Sequence, residues 1–549
     1  MPLRTSIGLL LPLSERNLST TASFAYLINI KFMKKILCIL SSLFLANSLF
    51  AQQPADALRN SWTVPGGTAR QQAIGGAMGS LGGDISAAFT NPAGLAFYKT
   101  GDFVFSPQYR FGKTKSTYMG RQEQEENNKF NWGTTGFVFG SGNGGRKIRN
   151  AAFSLAYNRK ADFNSSLLYR GVNNKSSFSQ QYVEELRANN IRDVPTAARF
   201  SPFGASLAFN TYWIDTAQGW NSGNKNFRSL SQAAASTGLI QQQTTVTTGG
   251  INEFAFAGGV NLNDKLMLGG TLGVDVLSFV RDATYTEADA TDNPNNNFDF
   301  ASLTENISTK GAGINLRLGL IYKPQEYWRL GLAFHTPTFY NLTDNSEATV
   351  TANTEGYQGE WKQTNQDIDD LSGQFKYSLS TPYRAVASIS YVLREIEDVT
   401  KQRGFLTADV EYVNHKASSY SEYTDEDYSS NGENRAYLKS LNEAIDNAYK
   451  GAFNFRVGGE LKFTTLMVRA GAAYYGNPYQ NINGDKGSKL NLSGGLGYRN
   501  KGFFADLTYV HAMNKDVQFP YRLEDTNLYA GANVNATAGN VLLTFGLKF

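Results

Sequence analysis

Cysteine is almost missing: one residue in 549, Cys38. A lone thiol forms no intrachain disulfide and leaves no paired-cysteine redox or zinc motif. Histidine is nearly as scarce. His335, His415 and His511 are far apart in sequence, with no metal-ligand spacing and no local Ser or Asp motif. No metal site, cofactor or catalytic residue is expected from them. No internal apolar run reaches the ~20 residues of a membrane helix. A membrane reading therefore requires strands, in which only alternate side chains meet lipid. An excess of one charge is missing too. Lys and Arg number 51 against 47 Asp and Glu, a net +4. Residues 1–51 hold Arg4, Arg16, Lys31, Lys34 and Lys35 against Glu15, so removing them leaves 46 of each sign. A neutral remainder gives no basis for nucleic-acid binding.

That first stretch reads as a leader. Lys34 and Lys35 precede an apolar run from Ile36 to Phe50, and Ala51 gives way to Gln52, Gln53 and Pro54. This is a signal peptide over 33–51 with Met33 as its start. Leu49 is an imperfect small-residue position, and the sequence assigns no role to residues 1–32. Cys38 precedes most of the apolar run, so it is no lipidation site and leaves with the leader.

What is abundant is glycine, 53 residues, with 29 Tyr and 36 Phe. The chain ends in strict alternation. Val541, Leu543, Phe545, Leu547 and Phe549 share one strand face; Thr544, Gly546 and Lys548 share the other. A final strand closing on an aromatic residue resembles the last strand of bacterial outer-membrane barrels, the signal read by the barrel assembly machinery. The pattern recurs at Ile314–Tyr322, Trp328–His335, Phe455–Phe463 and Leu466–Tyr474. One face is apolar throughout; the other carries Arg, Glu, Gly and Ala, as a hydrated lumen allows.

About 14 strands are expected, at 102–113, 131–140, 150–170, 251–263, 265–289, 298–322, 327–352, 372–393, 404–420, 452–463, 465–476, 488–499, 502–513 and 540–549. Long polar links follow some of them, at 114–130, 171–250, 421–451, 477–487 and 514–539. Tight turns follow others, at Asp264, Lys323–Glu326, Thr464 and Asn500-Lys501. Short turns on one side and long loops on the other mark an all-β, transmembrane antiparallel barrel in the bacterial outer membrane, spanning 101–549. In the loops, Leu438, Leu441, Ile445 and Tyr449 have helical spacing. They predict a helix that covers the rim or forms an external landing surface for an apolar ligand. Val183 with Leu186, and Leu230 with Ala234, show the same spacing more weakly.

Residues 52–100 are not strand-like. They are rich in small residues, including Gly75-Gly76-Ala77-Met78-Gly79 and Ala87-Ala88-Phe89-Thr90-Asn91-Pro92-Ala93-Gly94-Leu95. The glycines lack the Gly-Lys-Ser/Thr and preceding strand of a phosphate cradle. They suit close backbone packing, hence a plug inside the bore.

The Asn91-Pro92-Ala93 context resembles the FadL-type family of outer-membrane long-chain fatty acid transporters, with its aromatic-hydrocarbon members. Leu330-Gly331-Leu332-Ala333-Phe334-His335-Thr336-Pro337, Ser380-Thr381-Pro382-Tyr383-Arg384, Arg469–Gly476 and Ser493–Arg499 extend the resemblance. It runs from about residue 60 to the end. The resemblance implies a monomeric barrel of about 14 strands with an amino-terminal hatch, passing hydrophobic compounds inward without a cofactor. It places Asn91, Pro92 and Ala93, flanked by Phe89 and Leu95, in the hatch as gate residues. It also implies a sideways exit by a kinked third strand; the polar run 158–165 is where that kink would lie. The large 171–250 insertion departs from the compact pattern. Lumen charges Asp409, Glu411, Arg456, Glu460, Arg469 and Asp506 are expected to form a ladder that holds the hatch, with Arg456 or Arg469 as alternative partners of a ligand carboxylate. The rivals are a general diffusion porin, an outer-membrane hydrolase, haem uptake and a purely structural or adhesive barrel.

Overall fold

The computed structural model describes residues 54–62, 66–142, 147–221, 223–291, 293–368, 373–393, 403–423, 432–480 and 487–549. The leader expected over 33–51 lies outside the described residues. No described helix is long and apolar enough to cross a membrane.

A closed antiparallel ring of 14 strands dominates the molecule. The first strand, Asp102–Phe105 continued by Pro107–Tyr118, pairs with the last, Ala532–Lys548, and so closes it. The long central strands are Leu239–Leu262, Leu266–Asp289 and Phe300–Tyr322. The ring then returns through Gly451–Phe463, Leu466–Tyr475, Lys489–Asn500 and Phe503–Gln518. At the carboxy-terminus, Phe549 N–H donates to Gly101 O and Gly101 N–H to Phe549 O, at 3.0 and 2.9 Å.

The alternation has the expected meaning. Leu316, Leu318, Leu332, Phe455, Val457, Leu496 and Leu547 are exposed on the outer face. Glu253, Arg317, Asp409, Arg456, Arg469 and Asp506 are buried on the inner one. An outer face of this kind is matched by hydrocarbon, not water. Leu318 is 63% exposed to the outside. Leu318→Arg is therefore expected to lower stability in a bilayer by about 2–4 kcal/mol if it lies near the midplane. Urea unfolding in phosphatidylcholine vesicles measures it; a water-facing strand would show almost no change.

Several boundaries differ from the sequence reading: the strand expected at 251–263 already begins at Leu239 within the expected link 171–250, and two more differ in the first and last strands. Residues 114–130 are not a loose link: the first strand runs to Tyr118, turns at Met119-Gly120 and returns as Arg121–Trp132. The last strand begins at Ala532. In both places the strand has left the greasy belt, so neither face need be apolar, and backbone pairing alone continues the ladder.

The 171–250 segment holds a compact cap. Helices Gln180–Ala188, Val194–Ala197, Ala205–Asn210 and Gln232–Ala235 surround a short hairpin, Ile214–Thr216 with Phe227–Ser229. Phe178 stacks on Trp213 at 5.4 Å and on Tyr285 of the fifth strand at 4.3 Å. Glu287 anchors the cap from beneath. Its carboxylate accepts from Trp213 Nε1 at 3.0 Å, Phe178 N–H at 3.0 Å and Gln241 Nε2 at 3.2 Å.

Candidate functional site: a plugged bore with an apolar upper lining

The amino-terminal segment lies inside the ring, because its backbone bonds to inward-facing side chains all round the wall. Thr544 Oγ1 accepts from Ala69 N–H at 2.8 Å, and Thr508 Oγ1 donates to Ala69 O at 2.7 Å. Ser493 Oγ accepts from Gly75 N–H at 3.2 Å. Asp409 Oδ2 accepts from both Met78 and Gly79 N–H at 3.1 Å, and Ser388 steadies the other oxygen at 2.5 Å. Thr271 Oγ1 donates to Ala88 O at 2.9 Å, and His335 Nε2 meets Thr90 O at 2.8 Å. The segment's own folding is slight: a turn of helix at Ala69–Ala73, another at Ala87–Thr90, and a 3-10 stretch, Pro92–Phe97. Its position comes from the wall.

Asn91 is the tightest joint. Its side-chain oxygen caps the 3-10 stretch by accepting from Ala93 N–H at 3.1 Å, with Pro92 pre-set at the first helical position. Its amide nitrogen donates to Gly79 O at 2.6 Å within the plug. The same nitrogen lies 3.1 Å from Leu320 O and 3.3 Å from Leu332 O, on the sixth and seventh strands. Glycines in the wall make room for it. A Cβ on Gly319 would sit 1.9 Å from Asn91 Oδ1, and one on Gly269 would sit 2.3 Å from the Pro92 carbonyl carbon. Ala93 and Leu95 are fully buried, Ala93 beside Met267 and Ile321, Leu95 beside Ile85 and Ala88. Phe89 is half-buried and borders a cavity above the plug.

The lumen charges form two groups. Glu460 and Asp506 both grip Arg469, each at 2.6 Å, and Arg70 of the plug approaches Glu460 at 3.4 Å. Burial alone would weaken protonation of Arg70, but Glu460 and Asp84 outweigh it, so its pKa lies above the ordinary arginine value. The second group pairs Arg456 with Glu411 at 2.6 Å. Two pairs escaped the sequence reading: Arg317 with Glu253 at 2.6 Å, and Lys160 with Asp275 at 2.7 Å. These partners come from different strands, so the pairing needs the register. The only earlier signal was that each charge falls on the inward beat of its strand.

The second group borders a small cavity of about 70 Å³, open in part to solvent, between the plug and the helix Pro54–Ser61. Asn60, Phe89, Thr90, Lys160, Glu253, Arg317, His335, Arg384, Glu411 and Arg456 line it. Three guanidinium groups and one ammonium thus face two carboxylates. Arg317 Nε and Nη1 and Arg456 Nε are buried without a hydrogen-bond partner.

Above this cavity the inner wall turns apolar. Ile251, Leu277, Phe279, Tyr340, Leu342, Tyr377, Leu379 and Tyr420 enclose Ala57 and Leu58 of the helix Pro54–Ser61. The helix Gly432–Ala448 packs onto this apolar wall with Leu438, Leu441 and Ile445; Tyr449 follows it. These are the four residues whose spacing predicted a helix there. They face inward, not out to an external surface.

The third strand breaks where the polar run 158–165 stands. It runs as Ile148–Asp162, then resumes as Ser165–Asn173, with a register shift between Arg159 and Ala161. Below the break it pairs with Thr135–Ser141. Above it, no ladder among the described residues joins Ser165–Asn173 to Arg121–Trp132. Instead, inward-facing side chains of the first strand reach it. Arg110 Nη1 donates to Asp162 at 3.1 Å and to Asn164 O at 2.8 Å, and Tyr118 packs on Tyr169 at 5.2 Å. The upper third strand therefore packs behind the first hairpin, and side chains, Ser116 to Leu168 O and Asn127 to Ser166 among them, replace the backbone ladder there.

The histidines are dispersed in role. His335 holds the plug carbonyl of Thr90, His415 lies edge-on to Trp62 at 6.3 Å, and His511 lies 3.3 Å from Tyr509 OH.

A closed strand ring, an apolar exterior and a folded peptide in the bore define a plugged barrel of the outer-membrane type. Solved structures similar to this chain include a Pseudomonas aeruginosa FadL homologue, at 14% identity over 89% of this chain and 98% of that one, with a TM-score of 0.48. Also similar is the Pseudomonas putida toluene transporter TodX, at 12% identity over 88% and 99%, TM-score 0.48. The Ralstonia pickettii toluene transporter TbuX follows, at 15% identity over 88% and 99%, TM-score 0.46. No family model and no curated protein matches the chain. At such distances the architecture rests on the chain's own strand pairing.

Proposed function

We propose that this chain is a bacterial outer-membrane channel for passive uptake of hydrophobic compounds, long-chain fatty acids among them, with residues 52–100 as its hatch. The observation that carries this reading is the apolar lining of the upper bore, packed above a folded plug. An open aqueous pore has no use for such a lining, and an enzyme would need reacting groups that meet. Each CH₂ moved against apolar surroundings contributes roughly 0.8 kcal/mol, so an alkyl chain that displaces part of this packing binds without an energy source. Access would be from the loop end, past the helices Pro54–Ser61 and Gly432–Ala448. The hatch, held by Asn91, Pro92 and Ala93 with Phe89 and Leu95, and by Asp409, Glu460, Arg469 and Asp506, shifts to release ligand. The break in backbone pairing beside the third strand supports a sideways path into the membrane. The barrel acts as a monomer, is inserted by the barrel assembly machinery, and performs no catalysis.

The cavity at Arg317, Arg384 and Arg456 favours a ligand with an anionic head. The guanidinium N–H groups of Arg317 and Arg456 that lack a hydrogen-bond partner suit a carboxylate. Mass spectrometry of the folded protein, released from detergent after purification from cells, tests this. Co-purified fatty acid, lost when Leu277 and Phe279 are changed to Asn, supports the reading. No apolar ligand, even after incubation with oleate, would refute it.

A further inference from the structure

The third strand breaks at the depth of the lipid-facing belt. Arg110 lies between Tyr109 and Phe111 on the first strand, and Asn131 between Phe130 and Trp132 on its hairpin partner; those four aromatic neighbours are exposed on the outer face. Alternation therefore turns Arg110 and Asn131 inward, and both end on one carboxylate of the third strand. Asp162 Oδ2 accepts from Arg110 Nη1 and from Asn131 Nδ2, each at 3.1 Å. Asp162 Oδ1 accepts from Arg159 Nη2 at 3.4 Å, from Asn164 N–H at 3.2 Å and from the Asn164 side-chain amide. The ladder to Thr135–Ser141 has already ended at Tyr157. A single carboxylate thus ties the third strand to the first hairpin where backbone pairing stops.

On the inner side of this tie stands the apolar lining. Phe163, the next residue, packs against that lining and lies edge-on to Phe279 at 5.6 Å. On the outer side stand the lipid-facing rings of Phe130 and Trp132. Two apolar regions are separated here by polar side chains alone. A backbone ladder seals a wall with many bonds that must break together, whereas a carboxylate that gathers its partners lets go at one residue. The partners keep other anchors: Arg110 also donates to Asn164 O at 2.8 Å, and Arg159 to Gly249 O at 2.6 Å. Loss of the carboxylate therefore loosens the tie without stranding either guanidinium.

We propose that Asp162 is the latch of the sideways path, a positioning residue that sets how often the wall opens between the apolar lining and the bilayer. It rests on the uptake reading and names what regulates that path. A latch has a kinetic signature. Opening serves entry and exit alike, so a weaker latch speeds both and leaves the equilibrium affinity unchanged. Loss of a ligand contact speeds release alone and weakens affinity.

The test is stopped-flow transfer of an anthroyloxy-labelled palmitate between the folded full chain and vesicle lipids that carry a nitroxide quencher. Asp162→Asn is expected to speed release and association alike by about tenfold, with affinity kept within about twofold. Arg121→Gln, which removes the exposed pair with Glu123 on the same hairpin, is expected to change neither rate. Asn127 Nδ2 and Ser166 Oγ meet at 3.2 Å across the break. Asn127→Cys with Ser166→Cys, joined by a reducible cross-linker, is expected to slow release about tenfold until the linker is cut. Cys38, the one natural cysteine, falls in the expected leader and does not compete. Release by Asp162→Asn within about twofold of the unaltered rate, faster release without faster association, or release indifferent to the cross-link would overturn the latch. The cross-linked pair keeps Asp162, so it decides the matter if Asp162→Asn fails to fold. Failure of the unaltered chain to bind the labelled palmitate would overturn the uptake reading and the latch with it; binding whose rates ignore Asp162 and the linker would overturn the latch alone.

Discussion

Asn91→Ala is expected to leave the barrel folded and the hatch loose. The amide of Asn91 bonds to Gly79 within the plug and reaches two strand carbonyls, while its oxygen caps Ala93. Asn91 is fully buried, so water does not replace those bonds on mutation. Leaving such groups unpaired costs about 1–3 kcal/mol. As each ~1.4 kcal/mol is a factor of ten, displaced hatch should become about five- to a hundredfold more populated. Brief current openings in a planar bilayer, or entry of a bulky hydrophilic antibiotic into cells, read that population. Asn91→Asp should be worse than Asn91→Ala, despite similar shape. It keeps the acceptor for Ala93 N–H but points a carboxylate oxygen at three carbonyls. If Asn91→Asp behaved like the unaltered protein, the joint would not hold the hatch.

The second large effect belongs to Arg469. Its guanidinium joins Glu460 and Asp506, and all three side chains are buried. Removing one member of such a group leaves uncompensated charge, at a cost of about 3–5 kcal/mol. Arg469→Met should therefore lower the urea midpoint in vesicles by that amount. It should also expose the plug to protease, since Glu460 would keep only Arg70. Adding Asp506→Asn to Arg469→Met should recover part of the loss, because one of the two stranded carboxylates goes. A double variant no more stable than the single one would show that Asp506 does not depend on Arg469.

How much of this was legible follows from where each residue faces. Strands such as Ile314–Tyr322 and Phe455–Phe463 could be read because lipid fixes one face as apolar and the lumen fixes the other as polar or small. The hairpin at Met119-Gly120 could not, because above the belt both faces meet water or protein. The apolar cluster in the upper bore was hidden for a related reason. Leu277 and Phe279 are apolar residues on the inward beat of a strand whose Leu268 and Leu272 face outward. In sequence, that switch of face looks like broken alternation. The charges Asp409, Glu411, Arg456, Glu460, Arg469 and Asp506 could be placed in the lumen, but their partners could not be named. Arg317 meets Glu253 only through the register of three adjacent strands. Asn91 could be singled out by its neighbours Pro92 and Ala93, whereas its hold on Leu320 and Leu332 requires the closed ring.

The account depends most on a bore that is shut to ions and passable to greasy molecules. Entry of radiolabelled oleate into vesicles bearing the folded chain, recorded beside ionic current through the same preparation in a planar bilayer, measures both at once. The expected result is saturable oleate entry with no steady current. A steady, ohmic current with oleate entry no faster than in protein-free vesicles would contradict it.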